Sequence, residues 1–127
     1  MAIIRIMDES EAEGRVRQIF DEIKDWLKVP FVPDLFRALG RTPVQLEAVW
    51  AQVKGLYGSG CLDVKSKGLA ALAIAAVQRN EYFVRIHAIA LKRLGVSDEE
   101  ILEILNVAGL SAAMNTLVSG LNLEPEL

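Results

Sequence analysis

The stretch VQRNEYFVRIHAIALKRLGVSDEEI, Val77–Ile101, carries the helix boundaries on which the fold prediction rests. Asn80 is a residue type favoured immediately before the first turn of a helix, and Gly95 is a typical helix stop. Ser97 and Glu100 then have the spacing of a capping box, which opens a further helix. We therefore expect one helix between Asn80 and Gly95 and another that begins after Ser97.

The helical pattern continues on the N-terminal side of this stretch. Asp63 is the expected N-cap of a helix that covers the apolar run Leu69–Val77 and ends before Asn80. Small side chains fill this run and allow close approach to neighbouring helices, so we expect it to be a central element buried on most sides. These small residues are Ala70, Ala71, Ala73, Ala75 and Ala76.

Nearer the N-terminus, the pattern predicts three helices. Ser10 and Glu13 have capping-box spacing, so the first helix is expected to begin at Ser10 and to stop near Lys28. Its expected inner face carries Val16, Ile19, Phe20, Ile23, Trp26 and Leu27. A short helix over Asp34–Leu39 and a longer one from Pro43 to about Tyr57 should follow.

Near the C-terminus, the apolar pattern that begins after Ser97 predicts a helix broken or loosened at Gly109 and ended at Gly120. No run of alternating residues longer than Ile3–Ile6 indicates a strand. We therefore predict an all-α fold of about six to seven helices. The 127 residues suit a single domain over 1–127, with loose termini at 1–9 and 121–127.

Composition excludes several classes of function. The net charge is −3 and no basic run occurs, which disfavours nucleic acid as a partner. The longest apolar run is too short to cross a bilayer and the N-terminus lacks signal-peptide features, so we expect a cytoplasmic protein with no membrane partner. Cys61 is the only cysteine, which excludes an intrachain disulfide and a CxxC pair. Hydrophobic residues make up 52% of the chain, so we expect a homo-oligomer that covers part of the apolar surface.

The opening stretch resembles the alkylhydroperoxidase D-like (AhpD-like) proteins of the carboxymuconolactone decarboxylase superfamily. Their pattern is a helix rich in Ala and Leu, then CxxCxxxH, a glycine, and an acidic turn capped by Ser or Thr. The resemblance implies a compact AhpD-like helical fold and a trimer, dimer or hexamer, whose subunit boundary we expect near Leu69–Val77 and the helix of His87. It extends to the upstream segments Pro30–Pro33, Leu35–Phe36, Thr42–Pro43, Leu62–Asp63 and Lys67.

Aligned through His87, the active positions of the AhpD-like pattern are replaced. The two cysteines fall on Asn80 and Phe83, and the acidic residue falls on Gly68. Peroxide reduction by this pattern needs a thiolate and a second, resolving thiol, so we predict that thiol peroxidase activity is absent. The carboxymuconolactone decarboxylases also lack the cysteine pair, keep a histidine on the equivalent helix and perform acid–base chemistry without a cofactor.

The resemblance makes His87 the candidate catalytic acid or base, with Asn80, Phe83 and Tyr82 as candidate substrate-binding residues. Offsets of three and four place Asn80, Phe83 and His87 on one helix face. The alternative is that His87 is a structural residue, packed and hydrogen-bonded in the core. The resemblance to the decarboxylases implies that no cofactor is needed. We expect no metal, because there is no second histidine and the positions four residues before and after His87 hold Phe83 and Leu91.

Three functions stay open on this sequence. The first is a protein with a small-molecule pocket, or a cofactor-free enzyme of the lyase, decarboxylase or isomerase type that uses His87 on a small organic ligand. The second is a catalytically silent oligomeric binding or structural protein. The third is an antioxidant activity of the alkylhydroperoxidase type.

Overall fold

The structure is a computed structural model that describes residues 1–126. After a 3₁₀ turn at Glu9–Glu11, the chain forms six α-helices, and no strand occurs among the described residues. The predicted all-α fold is confirmed. The helices are α1 (Gly14–Leu27), α2 (Asp34–Leu39), α3 (Pro43–Gly58), α4 (Val64–Val77), α5 (Glu81–Arg93) and α6 (Asp98–Gly120).

The helices group into two compact units, of which the first is Met1–Gly60 and the second begins at Cys61. In the first unit, one face of α1 is buried in a core that includes Ile23, Leu46 and Trp50. The Trp50 indole donates its N–H to Glu22 at 2.9 Å, so this large side chain is buried with its polar group satisfied. The prediction of one domain over 1–127 stays a prediction.

The second unit contains the candidate site. Its core consists of Leu72 on α4, Leu91 on α5 and Val96 in the turn after α5. Helix α4 packs against both α5 and α6. One side of α4 is not covered by these helices, as shown by Ile74 and Val77, which are each more than half exposed. The expectation that Leu69–Val77 is buried on most sides was therefore wrong for that side.

Three predicted helix starts in this unit are confirmed by their hydrogen bonds. The Asp63 carboxylate accepts from the Ser66 N–H at 2.7 Å, and the Asn80 side-chain oxygen accepts from the Phe83 N–H at 3.1 Å. Ser97 and Glu100 form the expected capping box. Each cap satisfies an N–H group that has no partner inside its helix, which is why the sequence signal was specific.

The predicted start of α1 was wrong. The capping box joins Asp8 to Glu11 and belongs to the 3₁₀ turn, whereas α1 begins at Gly14. Gly14 has a φ of +54°, a left-handed conformation that glycine adopts without strain. The turn therefore ends before α1 starts, and Ser10 lies inside the turn. Trp26, expected on the inner face of α1, is exposed.

The predicted break at Gly109 was also wrong. Helix α6 runs without interruption from Asp98 to Gly120, so the intrinsic cost of glycine within a helix does not end it. Among the described residues, α6 is the one helix long and apolar enough to cross a membrane by length and composition. At the C-terminal end, residues 121–126 follow α6 without a further helix, and Leu127 of the predicted loose tail lies outside the described residues.

Candidate functional site

The turn between α4 and α5 positions the candidate residues. Arg79 has a φ of +56°, a left-handed conformation, in the turn between α4 and α5. Asn80 follows in an extended conformation and caps α5 through its side-chain oxygen. That oxygen therefore accepts a hydrogen bond from the helix backbone, and the side-chain NH₂ group of Asn80 remains able to donate to a ligand.

Three aromatic rings form a row along the first turns of α5. The rings of Phe83 and His87 are stacked, with centroids 5.3 Å apart and planes inclined by 19°. The Tyr82 ring meets the Phe83 ring edge-on at 5.2 Å. The offset of four residues explains the stack, since side chains at this spacing lie one above the other on a helix. The structure thus brings Tyr82, Phe83 and His87 into contact.

His87 is half-buried, and burial lowers the pKa of its imidazole below the ordinary value of 6.5. The physical cause is desolvation, which disfavours the charged form. Within residues 1–126, no hydrogen bond and no carboxylate is paired with this ring. The imidazole is therefore predominantly neutral at pH 7 and has an unprotonated nitrogen that can accept a proton.

The position that corresponds to the family's acidic residue has a structural role here. A Cβ atom on Gly68 would lie 2.8 Å from Cδ2 of Leu91, which is itself in the core of the second unit. The Leu91 side chain of α5 therefore packs directly against α4 where Gly68 has no side chain. A carboxylate at this position would need the Leu91 side chain to move. His87 accordingly has no acidic neighbour at the place where the family pattern has one.

Cys61 lies apart from the aromatic row in sequence, in the loop that precedes α4, and its side chain is exposed and free. Among the described residues, no group of three or more His, Cys, Asp or Glu side chains lies close enough together to hold a metal ion.

A groove of about 370 Å³ lies between α4 and α6, and His87 is not among its lining residues. The pocket at His87 stays a prediction. The groove was not expected from the sequence, because α4 was predicted to be covered on most sides and α6 to be broken. The apolar residues continued on both sides of Gly109 at helical spacing, and this was the signal for one long helix with an exposed face.

Comparison with known proteins identifies the family. The model of the carboxymuconolactone decarboxylase family matches residues 37–123, which is more than half of the chain. The chain belongs to this family. The match begins within α2 and includes α3 to α6, so it contains all four candidate site residues.

A solved crystal structure has the same fold as this chain. The chain is similar to a crystal structure of the alkylhydroperoxidase AhpD core from Rhodospirillum rubrum, with a TM-score of 0.92 and 29% sequence identity. The similarity covers 99% of this chain and 95% of that chain. The resemblance to AhpD-like proteins is thereby confirmed for the fold and for the superfamily.

This chain is also similar in sequence to part of a larger protein. It is 32% identical over 72 residues to an (R)-2-haloacid dehalogenase from Pseudomonas putida. The match covers 53% of this chain and 24% of the dehalogenase. The chain therefore corresponds to about a quarter of the length of that relative.

Proposed function

We propose that this protein is a cofactor-free acid–base enzyme that removes a proton from a small organic acid or lactone, with His87 as the base. The observation that carries the proposal is the environment of the His87 ring. It is half-buried, stacked on Phe83, neutral near pH 7, and without a hydrogen-bond partner in the described chain. A base of this kind must be unprotonated before it meets the substrate, and desolvation by burial favours that state.

The neighbouring residues suit the positioning of such a substrate. Phe83 and Tyr82 supply an apolar surface for the carbon skeleton, and the side-chain NH₂ of Asn80 can donate to a carboxylate or lactone oxygen. His87 takes the proton from the carbon next to the carbonyl group. In an isomerisation the imidazolium returns this proton to another carbon, so the reaction is balanced without an electron acceptor.

The names of the relatives support the substrate class. The family is named for the decarboxylation of carboxymuconolactone, and the similar Pseudomonas putida protein is named for 2-haloacids. Both names describe small organic acids.

Proton exchange into substrate tests the proposal directly. The protein is incubated in D₂O with a panel of small carboxylic acids and lactones, and loss of the C–H signal next to the carbonyl is followed by NMR. We expect exchange with the parent protein and with Arg85→Gln, an exposed residue of the same helix, and no exchange above buffer with His87→Gln. Equal exchange by parent and His87→Gln overturns the proposal, and so does an absence of exchange by the parent with every compound. The latter result favours the silent binding or structural protein.

A second candidate function follows from the similarity to the dehalogenase. In this alternative His87 takes a proton from water, the hydroxide attacks carbon 2 of a 2-haloacid, and the halide leaves with the bonding electron pair. The products are a 2-hydroxy acid, a halide ion and the proton on His87. Halide release from the two enantiomers of 2-chloropropanoate, measured for the parent and for His87→Gln, separates this reaction from simple proton exchange.

A further inference from the structure

The His87 imidazole is held by packing and not by a hydrogen bond. A histidine that acts as a base is commonly oriented by a third group, such as a carboxylate that accepts a hydrogen bond from the second ring nitrogen. Among the described residues no such bond reaches His87, and burial alone accounts for its lowered pKa. The group that orients this ring must therefore touch its face.

The ring of Phe83 lies against one face of the imidazole. The two ring centroids are 5.3 Å apart and the ring planes differ by 19°, which is an offset stack of the kind that aromatic pairs favour. The torsion about the Cβ–Cγ bond of histidine is intrinsically broad, so a histidine ring without a neighbour samples many orientations. A near-parallel Phe83 restricts this torsion, because rotation of the imidazole drives its edge into the Phe83 ring.

Phe83 is itself held on two sides. Its N–H donates to the Asn80 side-chain oxygen at 3.1 Å, which fixes its backbone in the first turn of α5. Its half-buried ring is met edge-on by the ring of Tyr82, with centroids 5.2 Å apart and planes at 88°. Phe83 is thus a fixed support for the imidazole.

A fixed orientation matters for proton transfer. The imidazole accepts a proton along the lone pair of its unprotonated nitrogen, which lies in the plane of the ring. Efficient sites hold such a group within about 10–20° of the productive direction, by packing or by hydrogen bonds. Because Phe83 covers one face of the ring, a substrate reaches His87 from the side that Phe83 leaves uncovered.

We propose that Phe83 is a positioning residue for His87, whose stacked ring holds the imidazole in the orientation in which it meets substrate. The proposal rests on the function proposed for His87 and adds to it, because Phe83 then acts through His87 besides offering apolar surface to the substrate. The two roles differ in their effect. Loss of a positioning residue lowers the rate at saturating substrate, whereas loss of a simple contact raises the concentration needed for half-saturation.

NMR of the ligand-free protein tests the stack. His87 is the sole histidine, so its imidazole C–H resonances can be followed in every variant. We expect Phe83→Leu to shift them downfield, towards their positions in urea, because the ring current of Phe83 is lost. Phe83→Tyr and Ile89→Ala should leave them in place, since the first keeps an aromatic ring and the second removes an exposed side chain of α5 outside the aromatic row.

Proton exchange in D₂O then measures the consequence for function. With a compound that exchanges in the parent, Phe83→Leu should lower the rate at saturation by roughly tenfold or more. The half-saturating concentration should stay within about twofold, and Phe83→Tyr should restore most of the rate. Circular dichroism checks that each variant is folded.

Three results overturn the proposal: imidazole resonances that Phe83→Leu leaves in place, an unchanged rate at saturation, and a change in half-saturating concentration alone. If Phe83→Leu does not fold, nuclear Overhauser effects between the imidazole and phenylalanine ring protons of the parent decide, and their absence contradicts the stack. A parent that exchanges no compound refutes the function proposed for His87 instead, and the resonances still show whether Phe83 orients the ring.

Discussion

At the scale of single residues, the proposed acid–base chemistry depends on the protonation state of His87. Its pKa is lowered by burial, and the chain has no other histidine. The folded state therefore binds fewer protons than the unfolded state as pH falls through the ordinary histidine pKa of 6.5. It follows that the contribution of His87 to stability is intact above that pH and is lost progressively below it.

Because His87 is the sole histidine, its titration can be followed without assignment. We expect the imidazole ¹H resonance to report a pKa below 6.5 in the folded protein and a value near 6.5 in urea. A folded-state pKa at or above 6.5 would show that the ring is solvated or paired with an acid, and the proposed neutral base would be wrong.

The candidate residues were predictable from sequence to different degrees. An offset of four residues on a helix was enough to place Phe83 next to His87. Asn80 was expected to contact substrate, and its role as N-cap was expected separately; the sequence did not show that one oxygen atom would be committed to the cap. The contact between Gly68 and Leu91 was not predictable, because it depends on how closely α4 approaches α5 in space.

At the scale of elements, the N-cap of α5 can be tested apart from the chemistry. Asn80→Ala removes the acceptor of the Phe83 N–H and should cost about 1 kcal/mol of stability. Asn80→Asp keeps a side-chain oxygen in the same place and should retain most of it. Chemical denaturation measures both changes. Equal losses for the two variants would mean that the cap does not stabilise α5.

Two helical glycines should respond differently to substitution by alanine. A Cβ atom at Gly109 on α6 meets open space, so Gly109→Ala should stabilise the protein by roughly 0.5–1 kcal/mol. At Gly68 on α4 the same atom meets Leu91 at 2.8 Å, and the clash should cancel the gain or reverse it. Thermal unfolding of the two variants gives the comparison. A stabilising Gly68→Ala would show that the helices can separate at little cost.

Helix boundaries were well predicted wherever a polar side chain caps the helix, as at Asp63 and Ser97. The start of α1 was misplaced because two pairs have capping-box spacing. Asp8 with Glu11 and Ser10 with Glu13 both have this spacing, and in the structure the first pair forms the box while α1 begins only at Gly14. A glycine within an apolar helical pattern is compatible with either a break or a continuous helix. The presence of Gly109 therefore did not show that α6 continues through it.

At the scale of the whole molecule, the fold is shared with an alkylhydroperoxidase core, whereas this chain has a single cysteine, Cys61, and so no CxxC pair. We expect no consumption of an alkyl hydroperoxide above buffer when a dithiol reductant is supplied, because the chain lacks the pair of thiols on which this peroxidase chemistry depends. A peroxidatic rate far above buffer that persists in Cys61→Ser would contradict this expectation.

The most direct test of the central claim compares the parent with His87→Ala in thermal unfolding, with and without small carboxylic acids. No hydrogen-bond partner of His87 is left unsatisfied in the described chain, so the variant should lose the stack on Phe83 and some buried area only. We predict a fall in melting temperature of less than about 10 °C, together with loss of a ligand-induced shift that the parent shows. A larger fall, with no compound shifting the parent, would make His87 a structural residue and contradict the account.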